Sequence, residues 1–182
     1  MHKVEPVKLY VSIIYREETV RMDAKEFMTR RWGSIDHESD PLPFEAALPL
    51  KNEMGTPLFR SFVSFGPLID PGELALVKMA CMGLEEKFRV QGKRRANLDP
   101  GYIDSHKAVL ATTHSGPTKV YHSAGIYLDT VLLFPKGKCQ ALPWSFPEFK
   151  NQDYDDIFLT LHALYKEQLT AAKLSEQTLL KK

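Results

Sequence analysis

Residues 69–92 read IDPGELALVKMACMGLEEKFRVQG, and this stretch decides how the chain is read. Asp70 has the side chain of an N-cap, Pro71 suits the first helical position, and Glu73 completes a capping-box pattern. Ile69 and Leu74 stand at the spacing of a hydrophobic staple. Leu74, Val77, Cys81, Leu84 and Phe88 then form one apolar stripe, and Gly92 supplies the stop. The stretch predicts an amphipathic helix with one buried face.

Working outward, Leu58 to Phe65 reads as a strand before this helix, and Arg94 to Leu98 as a short strand after it. Asp99-Pro100-Gly101 closes that strand in a predicted turn. Further back, Lys8 to Tyr15 is rich in β-branched and aromatic residues and reads as a buried strand. Arg16 to Trp32 carries Val20, Ala24, Phe27, Met28 and Trp32 on one helical face and stops at Gly33. Ser34 to Phe44 is extended, with Pro41-Leu42-Pro43 as its breaker. The order strand, helix, strand, strand, helix, strand predicts an α+β fold on a ferredoxin-like split βαβ core, its sheet mainly antiparallel.

Toward the C-terminus, Ala108 to Thr113 is strand-like, and Lys119–Tyr121 and Ile126–Phe134 read as a hairpin across Ser123-Ala124-Gly125. A turn at Pro135–Lys138 leads back through Cys139 to Leu142. The proline-rich Pro143–Pro147 reads as a loop. Asp153 to about Leu174 is an amphipathic closing helix with Phe158, Leu161, Leu164, Tyr165 and Leu169 inward. These strands are expected to extend the sheet antiparallel, and the helix to pack on one face. The chain reads as one domain over residues 1–182, with 175–182 a frayed tail.

Composition narrows the function classes. The 182 residues are 43% apolar and 26% charged, which is ordinary for a globular protein. With 24 Lys and Arg against 23 Asp and Glu, the net charge is +1, which argues against a dedicated nucleic-acid binder. The N-terminus shows no signal-peptide pattern and no run reaches a membrane span, so the cytoplasm is the expected compartment. The two cysteines, Cys81 and Cys139, read as small packing residues. No P-loop, GxGxxG, GxSxG or HExxH motif is present.

The polar density between Arg94 and Thr113 marks the expected site. Along a strand Arg95 and Asn97 share one face and Arg94, Ala96 and Leu98 the other. Guanidinium groups fork onto phosphate or carboxylate, and an asparagine orients them. The expected ligand-binding set is therefore Arg94, Arg95, Asn97, Tyr102, Lys107, Thr112 and Thr113. Asp99 and Asp129 are the expected general base or metal anchor. Asp129 lies in an apolar strand, where a carboxylate needs a partner, and Arg95 or Lys107 is expected to provide it. Histidines 37, 106, 114 and 122 lack ligand spacing, so no metal is expected. The acidic run Ile35–Asp40, with Glu45 and Glu53, suits either a cation or a solvated edge.

At Arg94–Tyr102, followed by Lys107–Thr113, the sequence resembles an uncharacterised prokaryotic family, domain of unknown function 4416. Val7–Tyr10, Glu53-Met54-Gly55, Phe62–Phe65 with Leu68–Pro71, Gly125-Ile126-Tyr127 and Leu142-Pro143-Trp144 carry the likeness along nearly the whole chain. The resemblance implies little about activity and leaves the cofactor unknown. Two readings are carried forward from the residues. In the first, the chain binds a small phosphorylated or nucleotide-like anion, with hydrolysis as the reaction it would carry out. In the second, it is a non-catalytic interaction or homo-oligomeric scaffold, with Trp144-Ser145-Phe146-Pro147 and a sheet edge as contacts.

Overall fold

The computed structural model describes residues 4–179. Its centre is β1, Val7–Tyr15, of which every residue is buried. A strand rich in Val, Ile and Tyr that is buried on both faces belongs inside a sheet covered on both sides. β1 pairs antiparallel with β4, Phe59–Ile69, on one side and with β5, Ala96–Ile103, on the other. β2 (Ile35–Glu38) and β3 (Leu42–Pro43) pair with β4. Beyond β5 come β6 (Lys107–Thr112), β8 (Ile126–Leu133) and, on the outer side of β8, β7 (Val120–Ser123) and β9 (Gln140–Ala141). The order is β2-β4-β1-β5-β6-β8-β7, with nine strands among the described residues and every pairing between them antiparallel.

Helices α1 (Glu18–Trp32) and α3 (Leu74–Lys87) share one core with Leu9, Val11 and Ile13 of β1. Val20, Ala24 and Met28 come from α1, and Leu74, Val77, Cys81 and Leu84 from α3. On the other face Tyr10, Phe62 and Val131 pack with Phe149 of the short α4 (Pro147–Lys150) and with Phe158, Leu161 and Tyr165 of α5 (Asp155–Leu179). All three expected helical stripes thus face the sheet. Cys81 is fully buried among them, and burial pushes the partly buried Cys139 thiol up to about 12. No described helix is long and apolar enough to cross a membrane.

Several boundaries differ from expectation, and the largest difference concerns Asp99-Pro100-Gly101. No turn forms there: β5 runs through it to Ile103. Pro100 is accommodated because the ladder to β6 begins only at Gly101, so the strand has no β6 partner at the position without an N–H. Gly101 adopts no left-handed backbone. It lies under the ring of Tyr10, whose hydroxyl donates to the Val109 carbonyl at 3.2 Å. A Cβ at Gly101 would sit 2.2 Å from that carbonyl oxygen and 2.4 Å from the Tyr10 ring. Glycine marks a close approach here rather than a change of direction.

The helix α3 ends at Lys87, earlier than Gly92, which instead serves a following turn at φ 76°. Asp70 does cap the entry, accepting from the Gly72 N–H at 2.7 Å, but the first turn is 3-10. A short helix α2, Leu48–Met54, was not apparent from pattern. The hairpin is formed: Ala124 and Gly125 are both left-handed, as a two-residue primed turn requires. α5 continues to Leu179, past Leu174; the end of the expected frayed tail, 180–182, lies outside the described residues.

Candidate functional site

Because β6 pairs with β5 only over Gly101–Ile103, residues Ala96–Asp99 have β1 on one side and no strand on the other. A buried backbone edge must find other partners. Two charged residues of α3 provide them. The Leu98 N–H donates to Glu85 Oε1 at 2.6 Å, and Lys78 Nζ donates to the Leu98 carbonyl at 2.9 Å. Lys78 and Glu85 are seven residues apart on one helix face, so their side chains stand in for a missing strand.

Lys78 reaches further, to Asp99 Oδ1 at 2.9 Å, while Asn97 Nδ2 donates to Asp99 Oδ2 at 2.5 Å. Arg94 donates to Asn97 Oδ1 at 3.0 Å and forks onto Glu53 at 2.9 and 2.8 Å. Burial works against the Lys78 ammonium, but Asp99 and Glu85 outweigh it and raise its pKa above the ordinary lysine value. Burial raises the Glu85 carboxyl, with Lys78 and the Leu98 N–H opposing. The Arg94 hydrogen bonds hold Glu53 below its usual range.

This chain of charges lines a cavity of about 430 Å³ on the α3 side. A larger groove, about 1070 Å³, opens on the opposite face of the sheet. Asn97, Asp99 and His114 line both, so the gap between β5 and β6 is where the two approach each other. The floor of the groove follows from the strand register. Arg60, Ile14 and Asn97 form one row across β4, β1 and β5, and Phe62, Ser12 and Asp99 form the next. Ser12 is buried and its hydroxyl has no partner. Arg60 stacks its guanidinium 3.9 Å above the Phe44 ring, donates to the Tyr154 hydroxyl at 2.9 Å and leaves its Nε unpartnered. Phe146 and Phe149 add aromatic wall.

Of the residues expected from sequence, Arg94, Asn97, Asp99, Thr112 and Thr113 line the smaller cavity. Arg95 does not join them; it pairs with Glu17 at the surface. Tyr102 is buried in the core beneath α1 and α3. Lys107 sits at the far end of β6 and binds Asp104 at 2.5 Å. Asp129 is buried with Oδ1 unpartnered, and burial raises its pKa; the charge that opposes this is Lys119, and neither Arg95 nor Lys107 is its partner. In the acidic run, Asp36 is engaged by Lys8, Ser64 and Gln168, and Glu38 by Arg21 and Lys25.

Sequence reasoning missed Lys78, Glu85, Ser12 and Arg60. The available signal was the position of Lys78 and Glu85 on the Leu74–Cys81 stripe, where a charge is costly unless paired. Ser12, set between the apolar Val11 and Ile13 of β1, was the corresponding signal on the groove side.

The model of one protein family matches residues 5–165, a span that includes every residue of both cavities. The chain belongs to the family described as a domain of unknown function, DUF4416. Family membership therefore covers the sheet, the gap between β5 and β6 and the first 11 residues of α5. No curated protein and no solved structure matches the chain.

Proposed function

We propose that this member of DUF4416 is a small-ligand-binding domain, with the groove on the α4 and α5 side of the sheet as its site. The scaffold we assign is a ferredoxin-like split βαβ core. The strand order β2-β4-β1-β5 and the common core of α1 and α3 support that assignment. The observation that carries the ligand reading is the groove floor. An unpartnered, buried Ser12 hydroxyl stands beside Asp99 beneath aromatic walls. A buried donor without a partner is costly, and a polar ligand atom would satisfy it. Mostly apolar clefts with a few convergent polar groups are the usual form of small-molecule sites.

The ligand is ring-bearing and nucleotide-like in shape, with its flat part against Phe44, Phe146 and Phe149. The cation that meets it differs from the set first expected. Arg94, Arg95 and Lys107 are engaged by Glu53, Glu17 and Asp104. Arg60 is the cation that lines the groove, and its nearest carboxylate, Glu148, lies at 3.7 Å. The test is a thermal-shift and calorimetric panel of ring compounds against the wild type and Leu110→Trp, which fills the groove from β6. Binding to the wild type and loss in the folded variant are expected. A panel with no binder, or binding indifferent to the filled groove, refutes the reading.

One observation favours interaction as a second reading. Trp144 and Phe146 are each 47% exposed, and Val120 on the edge strand β7 is 69% exposed. Light scattering decides it: a concentration-dependent oligomer broken by Trp144→Ala and Val120→Lys would support it, and a monomer at all concentrations would not.

A further inference from the structure

We infer that the end of the ligand held at Asp99 is neutral and hydroxyl-bearing, and that the ligand class is the nucleosides, with the sugar hydroxyls on Ser12, Asn97 and Asp99. The inference rests on the groove reading above and goes beyond it in naming the chemistry.

Charge balance comes first. Asp99 is neutralised by Lys78 at 2.9 Å, and the Lys78 side chain is only 7% exposed. An incoming ammonium would meet Lys78 behind Asp99, and an incoming phosphate would meet Asp99 itself. A neutral hydroxyl meets neither penalty. Lone pairs come second. A carboxylate offers about four acceptor positions, and Asp99 uses one on each oxygen, for Lys78 and for Asn97. Both bonds fix the orientation of the carboxylate and leave acceptor capacity on each oxygen, which suits a pair of adjacent hydroxyls. Ser12, the register partner of Asp99 across β1 and β5, adds a hydroxyl that both donates and accepts.

The distance to the ring site comes third. Arg60 and Asn97 occupy one row two strands apart, about 10 Å between backbones at ordinary strand spacing. The aromatic groups gather at the Arg60 end, where Phe44 carries the guanidinium and Tyr154 takes its hydrogen bond. A single sugar ring on Asp99 would leave that shelf empty, whereas a nucleoside spans both, with its base on the shelf and ring acceptors toward the free Arg60 Nε.

The experiment measures adenosine, 2′,3′-dideoxyadenosine, adenosine monophosphate and indole-3-acetate against wild type, Asp99→Asn and Ser12→Ala by calorimetry. Adenosine is expected to bind about tenfold or more tighter than the dideoxy compound, the worth of a hydrogen bond to a charged group. The monophosphate should gain nothing at the Asp99 end. Ser12→Ala is expected to reduce that discrimination while its melting temperature stays equal or rises, because it removes an unpartnered buried hydroxyl. This pairing separates a ligand role from a structural one, and it stands even if Asp99→Asn fails to fold. Equal binding of adenosine and its dideoxy analogue overturns the hydroxyl assignment, as does indole-3-acetate binding more tightly than adenosine. In both cases the groove reading survives if Leu110→Trp abolishes binding. No binding by any of the four probes overturns both.

Discussion

Gly101→Ala tests the feature on which the β5 geometry depends. The added methyl carbon would lie 2.2 Å from the Val109 carbonyl oxygen and 2.4 Å from Cζ and Oη of Tyr10. Relief requires two movements: Tyr10 must leave its bond to Val109, and β5 and β6 must separate locally. Overpacking of this kind costs about 1–3 kcal/mol, and a backbone oxygen, unlike a side-chain tip, cannot rotate away. Loss of the Tyr10 hydrogen bond adds about 1 kcal/mol. The reduced entropy of the unfolded chain returns about 0.4–1 kcal/mol. The net expectation is about 2 kcal/mol, or roughly 4–8 °C in Tm for a chain of this size. Urea unfolding reads it as a lower midpoint with an unchanged slope. Gly83→Ala, where nothing lies within 4 Å on α3, is the control and should stabilise by about 0.5–1 kcal/mol. In a Tyr10→Leu background the cost of Gly101→Ala should fall without vanishing, because the Val109 oxygen remains. A cost below about 1 kcal/mol, with no coupling to Tyr10, would mean that Gly101 is an ordinary glycine and that the close approach is not real.

Three further outcomes follow from the buried charges. Glu85→Gln keeps an acceptor for the Leu98 N–H and is expected to change stability by less than about 1 kcal/mol, whereas Glu85→Ala orphans that N–H and should cost about 1–3 kcal/mol in the same unfolding assay. Lys8 is fully buried and donates to Asp36, the Phe65 carbonyl and Gln168, while Asp36 keeps 21% exposure. Asp36→Ala therefore strands a buried ammonium and should cost about 3–5 kcal/mol, more than Lys8→Met, which leaves a partly solvated carboxylate. His162 stacks on Phe134 at 4.2 Å, and burial lowers its pKa below the ordinary 6.5. The unfolded chain then binds the proton more readily, so this contribution is intact above pH 6.5 and is lost as pH falls below it. His162→Phe should flatten the stability profile in that window, and an unchanged slope would remove His162 as its source.

What was legible from sequence was what depends on local pattern. β1, α1, α3 and α5 announce themselves because an apolar stripe or a run rich in β-branched and aromatic residues has one low-energy use, and the Ala124-Gly125 hairpin follows from two left-handed residues between strands. Asp99-Pro100-Gly101 was misread because its residues have two uses. Proline tolerates an unpaired strand position as well as a turn, and glycine permits close approach as well as positive φ. Only the register decides between them: Tyr10 opposite Gly101, and a β6 ladder that stops at Gly101. The same register explains the site. Where β6 leaves β5, a backbone edge is exposed inside the protein, and the fold answers with Lys78 and Glu85 rather than with another strand. Those two residues interrupt the α3 stripe at Leu74, Cys81 and Leu84, and a pattern-based reading passes over them as solvated neighbours. Their burial is what holds Asp99 and Asn97 in place at the floor of the groove. The polar segment from Arg94 to Thr113 was thus located by composition, but its geometry is set from a helix twenty residues away. A charge seated on a core stripe, with no partner nearby in sequence, is therefore itself a pointer to a broken ladder across the helix.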